Sequence, residues 1–243
     1  MHSASRSTFE NAGKLFNAAI AKDPHYSTAL AWRAYWHVLR VGQGWSSDRE
    51  LDAQLAEAFA QRAIDHDPTE AMAFAVQGHA AAYLRRDYDL ALQCFERALK
   101  INPNSARAWL WSANVHSWTS QGAIAVDNAT RAIALSPYDP LVSAYSGTAG
   151  VAYFADNQYE RAVAFATRAI HANPSYSGAY KLLVPALVLA GRAADARHAA
   201  LKLLRLEPNF TIHQFSRSSP GGQGEIGKRL CEGLRRAGIP NSD

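Results

Sequence analysis

The stretch GGQGEIGKR, Gly221 to Arg229, places Gly222, Gly227 and Lys228 at the G-x-x-x-x-G-K spacing with which a glycine loop and a lysine cradle phosphates. That chemistry needs a strand to deliver the loop, a helix N-terminus to receive the anion and a Ser or Thr after the lysine to hold magnesium. Here Arg229 follows the lysine, and the upstream FTIHQFSRSSP comes after a run of helical segments that offers no sheet to join. The motif is therefore read as a turn, in which Pro220, Gly221 and Gly222 reverse the chain into a terminal helix.

The other residues capable of chemistry are scattered. None of the nine histidines forms H-E-x-x-H or a comparable ligand cluster. His66 in IDHDP reads as a polar residue near a helix end, and His79 and His116 fall within helices. No G-x-S-x-G elbow occurs, and YSGTAG is a set of small residues where two helices pack. Asp87 and Asp89 in RRDYDLA stand at the start of a helix, where carboxylates complement the dipole. Cys94 and Cys231 lie far apart, outside any C-x-x-C, and read as buried small hydrophobes in a reducing compartment. No catalytic, metal or cofactor site is expected, and the chain is read as non-enzymatic.

Composition narrows the partners. A 48% hydrophobic chain of 243 residues is long enough to fold, and its alanine runs, as in AMAFAVQGHAAAYL, favour closely packed helices. The net charge of +4 is far from the concentrated Lys/Arg stripe of a nucleic-acid footprint. No apolar run reaches the roughly 20 residues that span a bilayer, and the N-terminus lacks the apolar core of a signal peptide. The expectation is a cytoplasmic protein that binds neither nucleic acid nor membrane.

The elements that position everything else are repeats. Prolines recur at Pro24, Pro68, Pro103, Pro137, Pro174 and Pro208, spaced by 44, 35, 34, 37 and 34 residues. Ahead of each stands A-x3-[F/A]-x2-[A/L]-x4-P: Ala12/Phe16/Ala19, Ala56/Ala60/Ala63, Ala91/Phe95/Ala98, Ala125/Ala129/Ala132, Ala162/Ala166/Ala169 and Ala196/Ala200/Leu203. Offsets of four and three share one helical face, and alanine there admits a neighbouring helix closely. A second apolar-periodic segment follows each proline, so the unit is a helical hairpin.

A unit of about 34 residues with this pattern resembles the tetratricopeptide repeat (TPR) family. Trp109 sits at the tryptophan of that family's W-x2-L-G-x2-Y, Gly78 and Gly147 at its glycine, and Ala34 and Ala113 in the same place. The resemblance covers residues 9–208 and implies an all-α, right-handed α-solenoid of half a repeat plus five repeats, with boundaries near the six prolines. Residues 1–8 read as a tail, with MHSASR either vector-derived or a loose native end. STFENAGKLFNAAIAKDP is a lone second helix, so the chain is read as beginning mid-repeat, as a fragment or the C-terminal part of a larger protein. VGQGWSSDREL, Val41 to Leu51, reads as a longer hairpin loop. Residues 209–243 read as a loop and a capping helix whose apolar stripe is Ile226, Leu230 and Leu234.

RAIALSPYDPLVSAYSGTAGVAYFADNQYERAVAFATRAIHANPSY, then LKLLRLEPNFTI, then EGLRRAGIP, are together similar to the C-terminal repeat region of bacterial class III adenylate/guanylate cyclases; related regions follow winged-helix DNA-binding domains in some regulators. That resemblance implies an accessory, regulatory role for a domain upstream in the same polypeptide. In TPR arrays the first helix of each hairpin lines the concave side, which by register puts Tyr35, His79, Tyr83, Arg107, Trp111, Asn114, Trp118, Tyr145 and Lys181 on or near a groove. Rings interleaved with single polar groups suit an extended peptide or a partner helix. Trp111 and Trp118 fit packing between repeats equally well, whereas the polarity of Arg107, Asn114 and Lys181 favours the groove. The full Lys/Asn/Arg set that clamps chaperone tails is missing, so that ligand is not expected. The leading expectation is a protein-interaction module; the alternative is an oligomerisation module of a cyclase or transcriptional regulator.

Overall fold

A computed structural model describes residues 6–242. Of the tail expected over 1–8, residues 1–5 lie outside the described residues and Arg6–Thr8 form the first turn of a helix. The described residues form thirteen α-helices and no strand: α1 (Arg6–Lys22), α2 (Ser27–Gly42), α3 (Arg49–His66), α4 (Ala71–Ala80), α5 (Tyr88–Ile101), α6 (Ala106–Trp118), α7 (Gly122–Leu135), α8 (Val142–Ala155), α9 (Tyr159–Ala172), α10 (Ser177–Leu189), α11 (Ala193–Leu206), α12 (Ile212–Ser218) and α13 (Glu225–Arg236). A π-helical turn, Ala81–Arg85, extends α4. The chain divides within α6 into two compact units, up to Trp111 and from Ser112 onward, each taken here by itself.

The alanine motif fixes the second helix of every hairpin. In five of the six copies its residues, from Ala56 to Leu203, are at most 3% exposed. The first copy, on the lone α1, is only half-buried. In the N-terminal unit α1 packs on α2, α2 on α3 and α4 on α5, and the first helices α2 and α4 also touch. Gly78 explains its place in the pattern: a Cβ there would stand 2.8 Å from the Phe95 ring and 2.9 Å from the Ala91 carbonyl.

One backbone joint closes each hairpin. Gly44, Arg86, Ser120, Asn157 and Gly191 adopt positive φ just past the first helix. After four of them the next amide donates to the carbonyl five residues back, as Trp45 to Arg40, Gln121 to His116, Gln158 to Tyr153 and Arg192 to Leu187, at 2.7–3.0 Å. This is the bond that satisfies an orphan carbonyl at a helix end. At Asp87 it reaches six residues back, to Ala81, at 3.0 Å.

The insertion after α2 is only partly a loop. Residues 43–48 form it, while α2 and α3 run to 16 and 18 residues against 13 and 14 in α6 and α7. Asp48 caps α3, accepting from the Leu51 amide at 3.0 Å. Inside the joint, the buried Asp52 carboxylate meets His37 Nδ1 at 2.7 Å and accepts from Ser46 Oγ at 2.5 Å, with Arg40 at 3.4 Å. Phe9 of α1 stacks on Trp36 at 4.8 Å and takes the edge of Trp45 at 4.9 Å, pinning the loop to the lone helix.

In the C-terminal unit α8 pairs with α7 and α9, and α10 with α9 and α11; the first helices α8 and α10 touch, and α13 packs on α10 and α12. The apolar stripe predicted for the terminal helix is buried: Ile226, Leu230 and Leu234 are all within the core. Beyond α13 the chain returns, and the amides of Ile212 and His213 donate to the carbonyls of Pro240 and Asn241 at 2.9 Å.

Candidate partner-binding faces

In the N-terminal unit, five of the residues placed on the groove by register converge on the first helices. Tyr35 of α2 lies 5.2 Å from the ring of Trp111 and 6.0 Å from that of His79. His79 stacks on Trp111 at 4.4 Å and 8° and meets Tyr83 at 5.7 Å. Arg107 holds its guanidinium 5.2 Å over Trp32 and 5.7 Å over Tyr35, a cation–π arrangement. Trp111 itself is buried, between α2 and α4, while the other rings and Arg107 are partly buried and keep a minority of their surface exposed. Among the described residues no carboxylate pairs with Arg107, whereas Arg85 is held by Glu50 and Glu57 at 2.7 and 2.5 Å. Burial among these rings, with the Arg107 charge added, pushes the His79 imidazole down to about 3, so it is neutral at physiological pH. Burial likewise raises the Tyr83 phenol. Trp32 was missed by the register argument, although it stands three residues before Tyr35 on the same helical face.

The four remaining groove candidates lie in the C-terminal unit and do not form an open face. Tyr145, expected on the surface, is 3% exposed, because α8 is buried on most of its circumference. Lys181, assigned to the groove for its polarity, is paired to Glu207 at 2.8 Å and sits 4.8 Å over the Phe210 ring. Trp118 is covered by the turn before α13: a Cβ on Gly221 would stand 2.5 Å from its ring. Asn114 is half-buried on α6. Trp118 and Lys181 do share one feature, a half-open pocket of about 160 Å³ lined by Phe215 and Gly221 on one side and by Ile226 and Leu230 of α13 on another.

The glycine loop has the shape of a turn. Gly222 donates to Ser219 at 3.0 Å and Gly224 to Gly221 at 3.2 Å. A Cβ on Gly227 would stand 2.2 Å from the Gly222 carbonyl oxygen and 2.4 Å from that of Gly221, so the turn packs its own carbonyls against the start of α13. Asp87 accepts from the Leu90 amide at 3.0 Å, the capping role expected of it. Cys94 and Cys231 are free and buried, and burial pushes Cys94 up to about 11. Among the described residues no group of three or more His, Cys, Asp or Glu is placed to hold a metal ion, and no helix is long and apolar enough to cross a membrane.

Residues 80–105 match the tetratricopeptide repeat family. No curated protein matches the chain. Among solved structures, the pilus biogenesis factor PilW is similar at 25% identity and a TM-score of 0.59, over 78% of this chain and 83% of that one. The TPR protein YrrB is similar at 16% identity and 0.52, over 80% and 93%. MamA of Desulfovibrio magneticus RS-1 is similar at 21% and 0.55, over 74% and 96%. Residues 80–105 are thus a tetratricopeptide repeat, in a chain whose helical hairpins have the fold of TPR α-solenoid proteins.

Proposed function

We propose that this chain is a non-enzymatic interaction module whose N-terminal unit holds a peptide or a protein segment against the face made by Trp32, Tyr35, His79, Tyr83 and Arg107. The observation that carries this is the partly exposed ring cluster around an Arg107 that no carboxylate of the described residues neutralises. Rings supply contact area at low entropic cost, and a guanidinium fork seeks a carboxylate. The ligand is therefore a segment carrying an acidic residue beside an aromatic or proline. YrrB, similar in fold, is described as having an unusual peptide-binding site, which supports the same use of such a face. The test is selection of a random peptide library on the full chain. Selected peptides enriched in Asp or Glu, and weakened at least tenfold by Tyr35→Ala with Arg107→Ala, are expected; unchanged binding by that double variant overturns the assignment.

In the same proposal the module serves the signalling domain of a larger bacterial, cytoplasmic protein, a reading supported by the resemblance of its ordered phrases to cyclase C-terminal regions. Two buried free cysteines suit a reducing compartment. Deletion of the array from such a parent would leave its catalysis intact and abolish its regulation.

A further inference from the structure

The C-terminal unit has a counterpart to the N-terminal face, and the chain covers it itself. α13 lies on the first helices: Ile226 and Leu230 face Val151 of α8 and Leu182 of α10 across the pocket, and Gly233 touches α10 so closely that a Cβ would stand 2.4 Å from Pro185 Cβ. Its single inward cation, Arg229, reads the end of α8. The guanidinium donates to the Ala155 carbonyl at 3.2 Å, to Asn157 Oδ1 and to Tyr159 Oη at 3.4 Å, and lies 5.4 Å over Phe154. A cation at a helix C-terminus also complements the dipole. An apolar stripe at i, i+4 and i+8 with one anchoring arginine at i+3 is how an amphipathic helix is recognised in a groove.

The seat is imperfect. A half-open pocket of about 160 Å³ remains beside Ile226 and Leu230, so α13 does not fill the face it lies on. Arg229 Nε is buried with no hydrogen-bond partner. The connection to α12 is the Ser219–Gly224 turn, held by local bonds. We infer that the α8/α10 face is a receptor for an amphipathic helix of this pattern and that α13 is its tethered, displaceable occupant. This is independent of what the N-terminal unit binds.

The occupant leaves without global unfolding, so in the intact protein the amides of α13 exchange with deuterium at least 100-fold faster than those of α10. Equal protection of the two helices overturns the inference, since α13 is then part of the cooperative core. The receptor is read directly with a fluorescent peptide of residues 222–243. Tethering gives α13 a high effective concentration, so the wild-type chain excludes the peptide. Full-length Gly233→Leu, whose own helix clashes with Pro185, binds it, and a peptide carrying Gly233→Leu does not bind. If circular dichroism shows helix loss in that variant, Arg229→Ala in the full chain releases α13 without added volume and serves in its place. Failure of the peptide to bind either folded variant overturns the receptor.

Discussion

His37 and Asp52 meet at 2.7 Å with both side chains essentially out of solvent. The pair joins α2 to α3 and, through Ser46, anchors the long loop between them. Burial raises the Asp52 carboxyl on its own account, but donors from Ser46 and His37 and the charge of Arg40 outweigh it and hold the group below the usual carboxylate range. Asp52→Ala would strand the imidazole and Ser46, costing about 3 kcal/mol. Ser46→Ala removes one hydrogen bond and costs about 1 kcal/mol. Urea unfolding at neutral pH would check both, and a cost for Asp52→Ala no larger than that for Ser46→Ala would show the pair to be marginal.

The pH dependence follows from the same groups. His79 is lowered from 6.5 to about 3, and His37 is lowered chiefly by burial, so the unfolded chain binds more protons than the native one below the ordinary histidine range. Stability is therefore full above that range and falls as the pH drops through it, by up to about 1.4 kcal/mol per pH unit for each group. Asp52 adds a further loss that begins in the usual carboxylate range, where the unfolded carboxyl takes up its proton, and is complete once the native carboxyl is protonated as well. His79→Phe keeps the stack on Trp111 and removes one titration, so its unfolding midpoint should fall less steeply from pH 6.5 toward 4. An unchanged slope would contradict this.

At Gly78 α4 and α5 lie too close to admit a side chain without a shift. Gly78→Ala places a methyl against the Ala91 carbonyl, which is backbone and yields little, and should cost about 1–3 kcal/mol despite the better helix propensity of alanine. Gly78→Val should cost more. Thermal denaturation would show a stabilised Gly78→Ala if the helices separate freely.

Ser120 carries φ of 61° at the α6/α7 joint, and Arg86 carries 59° at the preceding one. Neither has the freedom of the glycine that stands at the equivalent Gly191. Ser120→Gly should raise stability by about 1 kcal/mol, the strain of a non-glycine residue in the left-handed region less the added entropy of the unfolded chain. Chemical denaturation with an unchanged slope and a higher midpoint is the expected signature.

The repeat was legible because one residue type recurs at one spacing: alanines at offsets of four and three are buried wherever a full hairpin surrounds them. Convergence of Tyr35, His79, Tyr83, Arg107 and Trp111 followed from the same register, since equivalent positions on stacked first helices meet. The register failed where something else lies on the layer. Lys181 is polar, and polarity alone argued for exposure, but Glu207 neutralises it and Phe210 covers its head. The terminal helix was legible from its stripe, yet its resting place on α10 depends on the absence of a side chain at Gly233 opposite Pro185, a contact between distant positions that no local pattern encodes.

The π turn at Ala81–Arg85 stands in the repeat spaced 35 residues from proline to proline, one more than its successor. It takes the surplus residue into the first helix, so that Ala91, Phe95 and Ala98 meet their neighbours in the same phase as every other copy. The joint thus acts as a slip coupling: length can vary upstream of the turn without being transmitted to the helix behind it. Tyr83 lies in that turn, its ring 5.7 Å from that of His79. In this repeat the surplus residue thus falls beside His79, on the face proposed to meet a partner, while Ala91, Phe95 and Ala98 behind it stay buried.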